Sequence, residues 1–87
     1  MAKDTLAIEY IGEENRLLDY GFQYDSVYDR YVISLNRRLS DIVVKKNANK
    51  RYTFQVVHGN NNTYKIICDM FKENLIRFVL KEELYHG

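Results

Sequence analysis

Three short runs of β-branched and aromatic residues in the middle of the chain leave little choice of fold. Tyr31-Val32-Ile33-Ser34-Leu35, Asp41 to Lys46, and Tyr52-Thr53-Phe54-Gln55-Val56-Val57 each have the composition and length of a strand. Polar residues divide them: Asn36-Arg37-Arg38 follows the first, and Asn47-Ala48-Asn49-Lys50, a hairpin-turn composition, follows the second. His58-Gly59-Asn60-Asn61-Asn62 then breaks the pattern. A meander of this kind has an apolar face, and the rest of the chain has to cover it.

The flanking segments supply the cover. From Asp4 to Tyr20, the residues Ala7, Tyr10, Ile11, Leu17 and Leu18 recur at helical spacing, with Asp4 or Thr5 as N-cap. Gly21 and Phe22 close that helix as a glycine C-cap with its hydrophobic contact. Residues 5 to 11 also alternate through Leu6, Ile8 and Tyr10, and on that reading a strand comes first and the helix begins near Glu13. The last segment, Thr63 to Tyr85, carries the helical stripe Tyr64, Ile67, Cys68, Phe71, Leu75, Phe78 and Val79. Its start alternates as well, so residues 63 to 70 read as helix or as a fourth strand, with helix from Phe71 onwards. Asn62 or Thr63 is the expected N-cap, unless the preceding loop is a hairpin turn. The expected fold is therefore α+β: a helix, a three-stranded antiparallel meander (four-stranded on the second reading), and a C-terminal helix, with both helices on one sheet face. That order resembles double-stranded-RNA-binding domains and small interferase toxins in layout. The likeness stops there, because no lysine cluster opens the second helix and no Gly-Ser-His strand motif occurs.

Eighty-seven residues make one domain, 1 to 87, with no repeat or linker to divide it. Cys68 is the only cysteine, so no internal disulfide can form, and a reducing cytoplasm, of the producing cell or of a host, is the expected compartment. No apolar run reaches membrane-spanning length, and the N-terminal residues lack a signal-peptide layout. Cys68 on the apolar stripe is expected to be a buried structural residue. With His58 and His86 as the only histidines, no metal-ligand spacing is present, and neither metal nor cofactor is expected. Glu13-Glu14 and Glu82-Glu83 diverge on any regular element and read as solvent face. Gly59 and the asparagines after it lack the phosphate-loop pattern.

Charge is distributed unevenly. Residues 1 to 30 hold seven acids and three bases, whereas residues 37 to 51 hold six bases and one acid. The basic island comprises Arg37, Arg38, Lys45, Lys46, Lys50 and Arg51, with Tyr52 and Phe54 close enough to offer stacking faces to RNA or DNA. A formal net charge of +1 is low for a dedicated nucleic-acid binder. Tyr20, Tyr24, Tyr28 and Tyr31 crowd a short stretch with Asp25 and Asp29, which suits contact with a basic protein better than with nucleic acid.

The leading expectation is a non-enzymatic protein-binding module, an inhibitor or adaptor of the size that phages and other mobile elements encode, acting through Tyr20, Tyr24, Asp25, Tyr28 and Asp29. Self-association through Ile76, Leu80 and Leu84 is its companion. The alternative is an RNA- or DNA-binding domain using the island and Tyr52. A third reading is a small ribonuclease using His58, Arg37 or Arg38, and Tyr52.

Overall fold

The computed structural model describes residues 5 to 35 and 41 to 86. Arg37 and Arg38 of the basic island therefore lie outside the described residues, as do the turn after the first strand run and the proposed N-cap Asp4.

The chain is α+β, and its described residues form a six-stranded antiparallel sheet and three helices. In order these are β1 (Leu6–Tyr10), α1 (Glu14–Asp19), β2 (Gln23–Asp25), β3 (Arg30–Ile33), β4 (Ile42–Lys46), β5 (Tyr52–Val56), α2 (Asn61–Lys72), β6 (Ile76–Leu80) and α3 (Lys81–His86). The strand order in the sheet is β2-β3-β4-β5-β1-β6. The three strand runs of the middle segment form β3, β4 and β5, and Asn47 to Lys50 is the β4–β5 hairpin turn. That turn closes through Asn47 N–H on Arg51 O at 2.7 Å and Lys50 N–H on Asn47 O at 2.9 Å.

Two expectations fail at the ends of the chain. Residues 6 to 10 form a strand, not the first turns of a helix, and α1 starts only at Glu14. The alternation of Leu6, Ile8 and Tyr10 prevails because β1 is an inner strand, pairing with β5 (Ile8 opposite Phe54) and with β6 (Ile8 opposite Phe78). Gly12 makes the turn into α1 possible: a Cβ there would fall 2.5 Å from the Leu75 side chain and 2.8 Å from the Tyr10 hydroxyl. The end of α1 is as expected. Gly21 has φ +98°, its N–H reaches Leu18 O at 3.1 Å, and Phe22 N–H reaches Leu17 O at 3.2 Å, a Schellman motif with Phe22 buried behind it.

The last segment is not a single helix from Phe71 onwards. Residues 63 to 70 belong to α2, which ends at Lys72, and Ile76–Leu80 is a strand. Asn74 makes the break: at φ +60° it sets up a second Schellman motif, with Asn74 N–H on Phe71 O at 3.1 Å and Leu75 N–H on Met70 O at 2.9 Å. The cap at the start of α2 is Asn60, two to three residues earlier than expected, and it exchanges hydrogen bonds with Thr63 in a capping box.

One sheet face carries the main core. Ile33, Ile42, Val44, Phe54, Tyr10 and Ile76 pack there against Leu17 of α1 and Met70 of α2. α3 takes the opposite face, where Leu84 is fully buried. The helices are thus split between the faces, against the expectation that they share one. Cys68 is exposed on α2, not buried: the buried face of that helix runs through Thr63 and Met70.

Candidate functional site

The tyrosine-rich stretch folds into the β2–β3 hairpin at one edge of the sheet. Tyr24 and Tyr31 are directly opposite in register, and their rings sit 5.2 Å apart. Between Asp25 and Arg30 lies the four-residue loop Ser26-Val27-Tyr28-Asp29. Asp25 organises it twice, accepting Val27 N–H at one carboxylate oxygen (3.1 Å) and Arg30 Nε at the other (3.1 Å). The Arg30 guanidinium then lies over the Tyr28 ring, 4.8 Å from its centroid. Asp29, at φ +53°, accepts the Tyr24 hydroxyl at 2.5 Å, and that bond holds the phenol in its protonated form and pushes its pKa up.

The large hydrophobic side chains most exposed in this hairpin are at its tip. Val27 is 80% exposed and Tyr28 61% exposed at the loop tip, with Tyr24 half-exposed beside them. Asp25 is half-buried on the hydrogen bonds that shape the loop, whereas Asp29 is exposed, with its carboxylate on the Tyr24 hydroxyl. Tyr20 lies at the C-cap of α1, half-buried against the core near Arg16 and Glu73. The structure thus joins Tyr24, Asp25, Tyr28 and Asp29 in one hairpin and places Tyr20 on a different element.

Glu14, read from the sequence as solvent face, ties this hairpin to the rest of the sheet. Its carboxylate accepts the Tyr31 hydroxyl at 2.8 Å and, on the other oxygen, the Tyr52 hydroxyl. Those two bonds, Tyr52 first, hold the Glu14 carboxyl below the usual carboxylate range. The Tyr52 phenol is pushed up to about 12, chiefly by burial and then by its bond to Glu14. Lys46 lies 5.9 Å from the Tyr52 ring centroid. These groups line a cleft of about 40 Å³, an order of magnitude smaller than a ligand pocket. No sequence spacing marks Glu14 for this role, since its partners are 17 and 38 residues away.

Among the described residues, Lys45, Lys46 and Arg51 of the basic island do not form one surface. Lys45 and Lys46 are consecutive in β4 and point to opposite faces. Arg51 donates Nε to Glu9 at 2.9 Å and Nη2 at 2.8 Å, and its Nη1 reaches Glu83 O at 3.1 Å. Arg77 joins the same carboxylate at 3.0 to 3.1 Å. The Arg51 hydrogen bond, opposed in part by burial, holds Glu9 below its ordinary range. Phe54 is buried in the core and presents no stacking face, and Tyr52 is half-buried with its hydroxyl engaged.

Of the ribonuclease reading only His58 and Tyr52 fall among the described residues, and these two lie apart. His58 lies 3.8 Å from the buried carboxylate of Asp41, beyond the end of β5, while Tyr52 opens that strand. Six residues of extended chain separate the two by about 20 Å. Among the described residues no group of three or more His, Cys, Asp or Glu side chains could hold a metal, and no helix is long and apolar enough to cross a membrane. A second concavity, an open groove of about 360 Å³ between α3 and β5, is lined by residues such as Ala7, Gln55 and Tyr85 and contains no carboxylate, histidine or cysteine.

Comparison with protein-family models, characterised proteins and solved structures returned no match. The reading of function therefore rests on the geometry.

Proposed function

We propose that this protein is a non-enzymatic protein-binding module, an inhibitor or adaptor, whose contact surface is the β2–β3 hairpin. The observation that supports this most directly is the Val27-Tyr28 tip. Two apolar residues project into water from a loop already fixed by Asp25, Arg30 and Asp29. A pre-ordered tip loses little conformational freedom on binding, so its contact area converts into affinity more fully than that of a floppy loop. Tyrosine is also among the residues that dominate binding energy at interfaces.

Replacing Val27 with a photo-crosslinking amino acid, and separately making Val27→Ser/Tyr28→Ala, tests the reading. The crosslinker should join a discrete protein in nuclease-treated lysate. The double variant should lose that protein at least about tenfold, a change of about 1.4 kcal/mol, with an unchanged melting temperature. Equal retention by the double variant overturns the proposal. So does retention that vanishes on nuclease treatment, which would return the assignment to the basic residues.

A further inference from the structure

The two edges of the sheet differ. β2 is three residues long, carries Gln23 and Asp25, and ends in the hairpin already described. β6 is five residues of Ile76-Arg77-Phe78-Val79-Leu80, with no proline and one charge. Natural sheets blunt free edges with very short strands, prolines, bulges, charged side chains or a covering element, and on β6 the one charge is Arg77, already paired with Glu9.

The hydrogen-bond parity shows which groups this edge offers. The β1–β6 ladder is bracketed by Ile11 N–H on Leu75 O (2.7 Å) and Lys81 N–H on Thr5 O (2.9 Å). Alternation along an antiparallel pair then turns the backbone of Arg77 and Val79 towards β1 and that of Ile76, Phe78 and Leu80 outward. No described strand pairs with that outer side. The side chains beside it are apolar and uncovered: Phe78 is 59% exposed, Leu80 48%, and Leu6, opposite Leu80, 63%.

We infer that β6 pairs edge to edge with β6 of a second copy of this chain, antiparallel about a two-fold axis at Phe78. In that register Phe78 meets its own copy and Ile76 meets Leu80. The Phe78 pair exchanges two backbone hydrogen bonds and each Leu80 N–H faces the other copy's Ile76 carbonyl, about four in total, because the Leu80 carbonyl already accepts the first bond of α3. The charges fit a second copy. Arg77 falls opposite Val79, not opposite the other Arg77, and each Arg77 keeps its own Glu9 as counter-ion at 3.0 Å. Leu6, Phe78 and Leu80 of the two copies merge into one apolar strip along the seam, and the six-stranded sheet continues across it. The pairing leaves the Val27-Tyr28 tip, at the far edge, free on both copies.

Sedimentation equilibrium of the full chain over a wide concentration range is the direct test, read with residue-resolved hydrogen exchange. The mass should rise from 10.4 kDa towards twice that value. Protection of the Phe78 and Leu80 amides should rise with it, while the Arg77 and Val79 amides, already bonded to β1, change little. Phe78→Lys should weaken the dimer at least about tenfold, or 1.4 kcal/mol. A mass that stays at the monomer value overturns the inference, as does a dimer whose concentration-dependent protection appears at β2–β3. The exchange pattern of the unmodified chain decides the matter even if Phe78→Lys fails to fold.

Discussion

Glu9 shows how one side chain can organise a surface that looks disordered in charge. It is nearly buried, and it gathers Arg51 from β5 and Arg77 from β6 onto one carboxylate. Arg51 in turn reaches Glu83 O of α3, so the cluster joins two strands and a helix on the face opposite the main core. Because Glu9 is held below its ordinary range, its contribution is present above pH 4.5 and is lost as pH falls through the lowered value. Glu9→Gln should cost about 2 kcal/mol at pH 7, in line with hydrogen bonds to charged groups. It should also flatten the acid limb: urea denaturation at pH 6 and pH 3 should show a smaller loss for the variant than for the parent chain. An equal loss in both would mean that other carboxylates carry the acid sensitivity. Of the basic residues singled out in the sequence, Arg51 is held by Glu9, 42 residues before it, and Arg77, outside that island, joins the same carboxylate from 68 residues away.

Helix α2 depends on its ends. Its start carries the Asn60–Thr63 capping box and its stop the left-handed Asn74, and between them Thr63 and Met70 are buried. Asn60→Ala should destabilise the protein by about 1 kcal/mol, measured as a shift in urea midpoint with unchanged slope. A change within error would show that packing of Met70, and not the cap, fixes the helix start. The stop at Asn74 was missed, but the start of α2 was readable to within two or three residues from an asparagine cluster before an apolar segment, and the end of α1 from its glycine. The element after Asn74 was not readable. Leu75, Phe78 and Val79 satisfy a helical stripe, while Ile76, Phe78 and Leu80 satisfy strand alternation, and a short apolar run does not decide between the two periods.

Taken whole, the fold brings together tyrosines from distant parts of the chain. Tyr10 is buried in the core with its hydroxyl on Glu13 O at 2.5 Å, and desolvation pushes its pKa up to about 12. Tyr52, 6.2 Å away ring to ring, is raised to about the same value. A phenol whose folded pKa is raised stabilises the fold fully below its unfolded value near 10 and loses that contribution as pH climbs through the folded value. Alkaline unfolding should therefore set in between pH 10 and 12, followed by far-ultraviolet circular dichroism together with tyrosinate absorbance at 295 nm. The two signals should move together for the buried phenols. Ionisation of all eight tyrosines before any loss of ellipticity would contradict the packing of Tyr10 and Tyr52.

The amino-acid order alone settled the local matters: three central strands, the turn at Asn47 to Lys50, the glycine stop at Gly21 and the α+β class. These rest on backbone preferences and turn chemistry, which act over a few residues. Whether residues 6 to 10 and 76 to 80 became helix or strand was a tertiary decision. Each run could satisfy either period, and they became strands because they pair with each other and β1 also pairs with β5. The same long-range pairing drew Arg51 onto Glu9 and left Phe78 and Leu80 in water. No spacing within the chain encodes those outcomes, because each depends on which distant strand lies alongside.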